Sequence, residues 1–395
     1  MISKQVSNRI ASIDILRAVT MLLMIFVNDL WSLKNIPGWL EHTSADEDSM
    51  GLADAVFPAF LFIVGLSIPY AIQARKNKGD NTLDIAWHIL SRSLALVIMG
   101  VFLVNGEYIN EAGMPHLVWN TACCTCFIII WNSYPKYINR VLVNSMKMLA
   151  IGTLIMLSYI YRGGENGVQS FSTYWWGILG LIGWAYLVSA LIYVFSRENI
   201  YVNASAWIVF VFLSTANHAN WLPTQGLLRT IISPFGEGAM VALVTGGVVC
   251  SQLFRYCLKN YSFKKTIQIF IGLALLLLAI GFLLRPFGGI SKIKATPSWV
   301  LICSAATILV FMLLYYVVDV REKQKLFTIL TPAGTNTLLC YLLPYFAYGI
   351  PVLLHLYLPS ILLTGALGLI KSFLFALLMV IITGWLGKAN VRLKL

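Results

Sequence analysis

Apolar runs of membrane-spanning length recur along the chain, separated by short polar stretches. They fall near residues 13–32, 52–74, 83–104, 116–133, 144–161, 174–196, 203–217, 237–254, 266–285, 298–318, 327–348 and 362–387. A helix that crosses a bilayer needs about 20 apolar residues. The pattern therefore predicts an all-α, polytopic membrane helix bundle of about twelve spans, with ten as the lower bound. The seventh run and the last two carry the weakest signal. No intervening loop is long enough for a separate soluble domain, so 1–395 reads as a single integral-membrane domain.

Composition agrees. Hydrophobic residues make up 59% of the chain and charged residues 11%, against about 25% charged in an ordinary soluble domain. Mean hydropathy is +0.79. These values exclude a soluble enzyme and a disordered chain. The first run carries Asp14 and Arg17 and has no small-residue cleavage site, so it reads as a span and not as a removable leader. The seven cysteines lie in or near apolar runs without paired spacing, so neither a disulfide framework nor a zinc motif is expected. Trp31, Trp39, Trp119, Trp175, Trp176, Trp221 and Trp299 sit near run ends and read as an interfacial belt.

A net charge of +12 would suggest nucleic acid in a soluble protein; here its placement matters more, and no nucleic-acid partner is expected. Cytoplasmic loops collect Lys and Arg. With a cytoplasmic start, one side holds 19 basic residues, Lys4 and Arg9 among them, and the other holds 6: Lys34, Arg162, Arg229, Arg285, Lys292 and Lys294. That bias places both ends of the chain in the cytoplasm and requires an even number of spans.

Charged groups inside lipid are costly and usually mark function. The first run holds Asp14, Arg17, Asn28 and Asp29. Asp14 and Arg17 share one helix face, either as a local ion pair or as a cationic mouth for an anionic cosubstrate. Asn28 and Asp29 lie roughly 16 Å further along, toward the outer side. Arg92 is near mid-depth of the third run and needs a partner or a wet cavity; Lys371 reads as a snorkelling lysine. Glu237 opens the eighth run, either as a helix cap or as a site residue. Lys292 and Lys294 contact an anionic acceptor or simply solvate their loop. Pro332–Asn336 interrupts the eleventh run, and irregular backbone at membrane depth must be buried or line a cavity. Four histidines fall outside: His42, His116, His218 and His355. His42 stands apart, in an acidic loop (Glu41, Asp46, Glu47, Asp48) between Asn28 and Asp54. No two histidines share a metal-ligand spacing, so no metal is expected.

These residues carry a resemblance. Ser12-Ile13-Asp14-Ile15-Leu16-Arg17-Ala18, then Leu23-Met24-Ile25-Phe26-Val27-Asn28, then His42, then Ala53-Asp54-Ala55-Val56-Phe57-Pro58-Ala59-Phe60-Leu61-Phe62-Ile63-Val64-Gly65 resembles the heparan-α-glucosaminide N-acetyltransferase family, in its bacterial branch. The motif-bearing part is 8–75. Weaker likenesses follow at Glu237-Gly238, at Lys292 and Lys294 before Trp299, at Val317-Val318-Asp319-Val320 and at Pro332–Asn336. The resemblance implies a membrane acyltransferase that takes acetyl from cytosolic acetyl-CoA as cosubstrate and delivers it to an amino sugar or glycan outside. It implies His42 as the catalytic histidine with Asn28 as companion; Asp54 is the carboxylate expected to hold the imidazole in one tautomer, as in a catalytic triad. Asp14, Arg17, Arg92 and Asn336 are the expected donor-binding residues, and Asp29, Glu237, Lys292 and Lys294 the acceptor-binding ones. The expected partners are the bilayer and a sugar or glycan; the resemblance also admits a homodimer. The expected location is a bacterial inner membrane. Departures bear on the acceptor: the loop after His42 is longer and acidic, the family's Gln-Arg pair is Trp119-Asn120, and a later histidine is Pro344. The competing readings are a secondary transporter, whose mark would be paired broken helices, and an inactive glycan- or lipid-binding membrane protein.

Overall fold

The computed structural model describes residues 10–222, 226–227, 233–355 and 358–395. Lys4, Arg9 and Arg229 of the charge bias lie outside the described residues. The chain is all-helical: among the described residues only isolated bridges occur, such as Lys34 with Thr364. The long helices are α1 (Ala11–Asp29), α2 (Leu52–Lys76), α3 (Thr82–Glu107), α4 (His116–Trp131), α5 (Arg140–Ile160), α6 (Ile178–Phe195), α7 (Ile200–His218), α8 (Ala239–Asn260), α9 (Phe263–Leu283) and α10 (Pro297–Tyr315). A short α11 (Thr331–Thr335) precedes α12 (Thr337–Leu353), and α13 is Gly365–Lys388.

Among the described residues ten helical stretches are each long and apolar enough to span, or eleven if the bent pair 324–335 and 337–352 counts as one. The chain is thus a multi-pass membrane protein, and each expected run has a helix. Two expected spans are irregular. With 16 residues, α4 reaches about 24 Å, short of a hydrocarbon core of about 30 Å. The eleventh bends by 79° at Asn336, where α11 ends.

Local chemistry sets the ends. The backbone amides of Ala11 and Ser12 at the start of α1 donate to Asp319 at 3.2 and 3.0 Å, so a carboxylate over 300 positions away satisfies otherwise orphaned donors. Asn81 and Asp84 cap α3 reciprocally. Thr296 caps α10, with Pro297 in its first turn. Glu237 does not cap α8: Gly238 takes that position with φ 100° and no side-chain bond is made there.

Burial sorts the helices. In α2 and α3 the apolar window is 67% buried, whereas in α5 and α7 it is 22% buried; the first pair is interior and the second faces outward. Interior crossings rely on absent side chains, as expected where packing replaces the hydrophobic effect. A Cβ on Gly65 of α2 would lie 1.9 Å from Val244 O of α8, and one on Gly247 would lie 2.0 Å from Phe62 O. Trp119 and Trp299 are fully buried, so these two are not belt anchors. Their indoles donate inward to Phe102 O at 2.8 Å and Asp54 O at 3.0 Å. Trp31, Trp39, Trp176 and Trp221 are exposed, as a belt requires.

Lys371 does not snorkel. It donates to Asp29 at 2.6 Å, and Tyr348 and Ser372 donate to the same carboxylate at 2.8 and 2.6 Å. This ties α1 to α12 and α13 with an Asp29 side chain only 3% exposed. Asp29 is therefore engaged between helices and not turned to solvent. Breaking a buried pair from one side costs roughly 3–5 kcal/mol. Asp29→Ala is expected to lower the unfolding temperature in detergent sharply, and Asp29→Leu combined with Lys371→Met should recover much of that loss. Equal instability of the single and double variants would refute the pairing.

Candidate functional site

The loop between α1 and α2 folds tightly back. Lys34 is bonded in both directions to the segment before α13, through Leu363 O and Gly365 N at 2.9 Å each. Leu40 is buried as an anchor. Gly51 approaches Glu41 so closely that a Cβ would sit 1.9 Å from its carbonyl oxygen, so no larger residue fits. Asp48 pins the loop across to the α9–α10 connection: Arg285 Nε donates at 2.7 Å and Ile290 N at 2.6 Å. The Ile290 amide first, then Arg285, holds the Asp48 carboxyl below the ordinary carboxylate range.

This closure brings His42 onto Asp54. His42 Nδ1 lies 2.7 Å from Asp54 Oδ1, and the other carboxylate oxygen accepts from Thr43 N, Thr43 Oγ1 and Gly51 N at 3.0, 3.1 and 3.1 Å. Asp54 is fully buried in the first turn of α2. A carboxylate only accepts, so in the neutral ring the Nδ1 proton sits toward Asp54 and Nε2 carries the lone pair. The His42 side chain is 44% exposed, so that lone pair is reachable. The arrangement has the parts of a base oriented by a carboxylate.

Lys292 completes the group. Its Nζ is 3.3 Å from His42 Nδ1 and 3.5 Å from Nε2. Near-equal distances place it over the ring face, along neither lone pair. Burial pushes the Lys292 ammonium below the ordinary lysine range, against the pull of the Asp54 carboxylate.

The structure brings together His42, Asp54 and Lys292 and places the other sequence-predicted residues elsewhere. Asn28 is exposed and lines a cleft of about 190 Å³ with Trp31, Tyr341, Tyr345 and Tyr348; among the described residues it makes no hydrogen bond to the His42 group. Lys294 has an exposed side chain, and its carbonyl lies 2.8 Å from His218 Nε2. Arg17 binds Asp14 and Gly334 O at 3.1 Å each and Ser67 Oγ at 2.5 Å, so the ion-pair alternative is realised and extended to two other helices. Arg92 stacks over Tyr186 at 5.0 Å, with its Nε buried and unbonded. Both ends of the Asn336 amide hold backbone, at Val391 O (3.0 Å) and Leu393 N (3.2 Å). Glu237 lies in the turn Ser233–Gly238 before α8. His116 pairs with Glu111.

Sequence reading missed three contributors. Asp48 looked like one more solvated acid, although its loop is acidic and the facing one basic. Trp299 was assigned to the belt. Tyr341, Tyr345 and Tyr348 stand at i, i+4 and i+7, a one-face helical pattern that was legible.

The family model described as "Domain of unknown function (DUF5009)" matches residues 9–225, more than half of the chain. The chain belongs to this family. DUF5009 residues here include α1, the His42 loop and α2. Over 106 residues, or 26% of the chain, it is 32% identical to heparan-alpha-glucosaminide N-acetyltransferase of Mus musculus. Over 104 residues it is 31% identical to the enzyme of that name from Homo sapiens. The matched stretches cover only 15% and 14% of those two proteins.

Because burial lowers the Lys292 pKa on folding, the charged lysine costs stability at neutral pH; the cost fades as pH rises through the lowered folded-state value and is gone above the unfolded value of about 10.4. Lys292→Met is expected to unfold at a higher temperature than wild type near pH 7, with the gap closing at alkaline pH. A pH-independent gap would assign the change to packing alone.

Proposed function

We propose that this DUF5009 chain is a membrane acyltransferase. It moves an acetyl group from acetyl-CoA, entering at the Asp14 end of the bundle, to an amino sugar or glycan at the His42 end. The charge bias supports a cytoplasmic Asp14 end, and the membrane is read as a bacterial inner one. The observation that carries the proposal is the His42–Asp54 pair, with Nε2 open, in a chain similar to N-acetyltransferases.

Each residue has a role in that reaction. His42 Nε2 takes a proton from the acceptor nitrogen or hydroxyl as that atom bonds the thioester carbon. The carbon–sulfur bond then breaks, and the sulfur leaves as thiolate and recovers the proton from the imidazolium. Asp54 holds the ring in the required tautomer and stabilises its charged form. Lys292, over the ring, lies close enough to stabilise negative charge on the thioester oxygen. Asn28 and the tyrosine-lined cleft beside it are assigned to the substrates at the same end.

The signature of a secondary transporter is paired half-helices or an inverted repeat near the midplane; among the described residues one span is broken, the bent pair 324–335 and 337–352. His42→Ala is expected to bind acetyl-CoA as wild type does while losing transfer by roughly 10²–10⁴-fold. Asp54→Asn should lose up to about 10⁴-fold in kcat. Both are read as radiolabelled acetyl appearing on a panel of amino sugars and oligosaccharides. Undiminished transfer in either variant refutes the mechanism, and substrate counterflow without acetyl transfer in proteoliposomes would favour transport.

A further inference from the structure

A second built feature lies at the other end of the bundle. Where the eleventh span breaks, α11, the end of α13 and the segment 391–395 enclose a cleft of about 490 Å³. That volume lies in the range of about 300–1,000 Å³ common for small-molecule sites. Three cations line it, Lys388, Arg392 and Lys394, together with the hydroxyl-bearing Thr328, Thr331 and Thr335. No acidic side chain lines it among the described residues.

The cations are held in place by their backbone. Asn336 fixes Val391 O and Leu393 N. Arg392 N donates to Asn132 Oδ1 at 2.8 Å, Ser133 N to Arg392 O at 2.9 Å, and Lys394 N to Trp131 O at 3.1 Å. Arg392 Nε donates to Gly387 O at 3.0 Å, which orients the guanidinium and leaves its terminal nitrogens for another partner. Among the described residues Lys388 and Lys394 pair with no carboxylate. Helix α11, which brings Thr331, Pro332 and Thr335 to the cleft, is itself fixed: a Cβ on its Gly334 would meet Asp14 O at 2.4 Å, and Arg17 grips the Gly334 carbonyl at 3.1 Å.

We infer that this cleft binds the phosphoryl groups of a ligand, held by Lys388, Arg392 and Lys394. Three cations around one cleft, the backbone of two of them held in place, match a polyphosphorylated anion better than a single carboxylate, because charge-assisted bonds to phosphate oxygens are short and strong. The inference deepens the acyltransferase reading and rests on it for the donor: the phosphates of acetyl-CoA would dock here, with Arg17 holding α11 in place through Gly334 O and not itself touching the ligand. Asp14 and Asp29 are about 22 Å apart along α1, so the thioester must reach along the bundle toward His42. The same phosphate chemistry could come from an anionic lipid headgroup, since basic pockets between spanning helices bind such lipids.

The test uses the full chain purified in detergent. Wild type, Lys388→Glu/Lys394→Glu, Lys388→Gln/Lys394→Gln and His42→Ala are compared for binding of CoA and of adenosine 3′,5′-bisphosphate. They are also compared for stabilisation by phosphatidylglycerol against phosphatidylcholine. CoA and bisphosphate binding should weaken about tenfold or more in the Glu variant and less in the Gln variant, and stay unchanged in His42→Ala. Each variant's ligand-free unfolding temperature reports on its folding. Loss of phosphatidylglycerol stabilisation alone in the Glu variant would keep the phosphate site and assign it to lipid. Wild-type response to CoA, bisphosphate and phosphatidylglycerol alike in a folded Glu variant, or no response of wild type to any phosphate ligand, overturns the inference. Bisphosphate binding without any acetyl transfer would keep the cleft and remove the acyltransferase reading. Transfer with an unchanged donor KM in the Glu variant would do the reverse.

Discussion

A carboxylate within a membrane bundle must be matched by donors or it cannot stay charged there. This chain uses that constraint as its joinery. Asp14 holds Arg17, which reaches α11 and α2. Asp29 gathers α12 and α13 onto α1. Asp319 closes the start of α1, and Asp54 collects the loop that carries His42. Asp29 and Asp319 satisfy themselves on segments more than 300 positions away, whereas Asp14 and Asp54 take nearby partners. Helix α1 touches three of the four and is the post on which both ends of the molecule are set.

The two ends differ in how they are built. At the His42 end, a long loop is closed by short-range fits, Gly51 against Glu41 and Thr43 on Asp54, and by one cross-loop pin, Asp48 on Arg285 and Ile290. The result is a fixed ring with one nitrogen presented outward. At the opposite end, a broken span and an ordered terminal segment leave three cations around open space. One end is suited to proton transfer and the other to anions. The rigid helices between them make that separation a fixed distance.

Much of this was legible in the sequence. Hydropathy and length determined the class of fold and the approximate position of every helix, because the thickness of lipid dictates the length of an apolar run. The marked residues of the first 75 positions were legible too. A buried charge is rare enough to stand out in an apolar run, and Asp54 was open to reading as a triad-type partner for His42. Less legible was the use of each charge. Lys371 and Asp29 lie 342 positions apart and looked like a snorkelling group and a substrate ligand; only packing made them partners.

What the tertiary structure alone decided is which polar groups meet. Trp119 and Trp299 have the sequence context of an aromatic belt, yet both are core, because their indoles found carbonyls inside the bundle. Lys292 was one of two lysines in an outer loop until the fold set it over the imidazole. The basic cleft draws on α11, α13 and the segment 391–395, and no local pattern records that they converge. Composition and periodicity are local quantities and determine helices. Partners among buried charges are set by long-range contacts, so they appear only when the bundle is assembled.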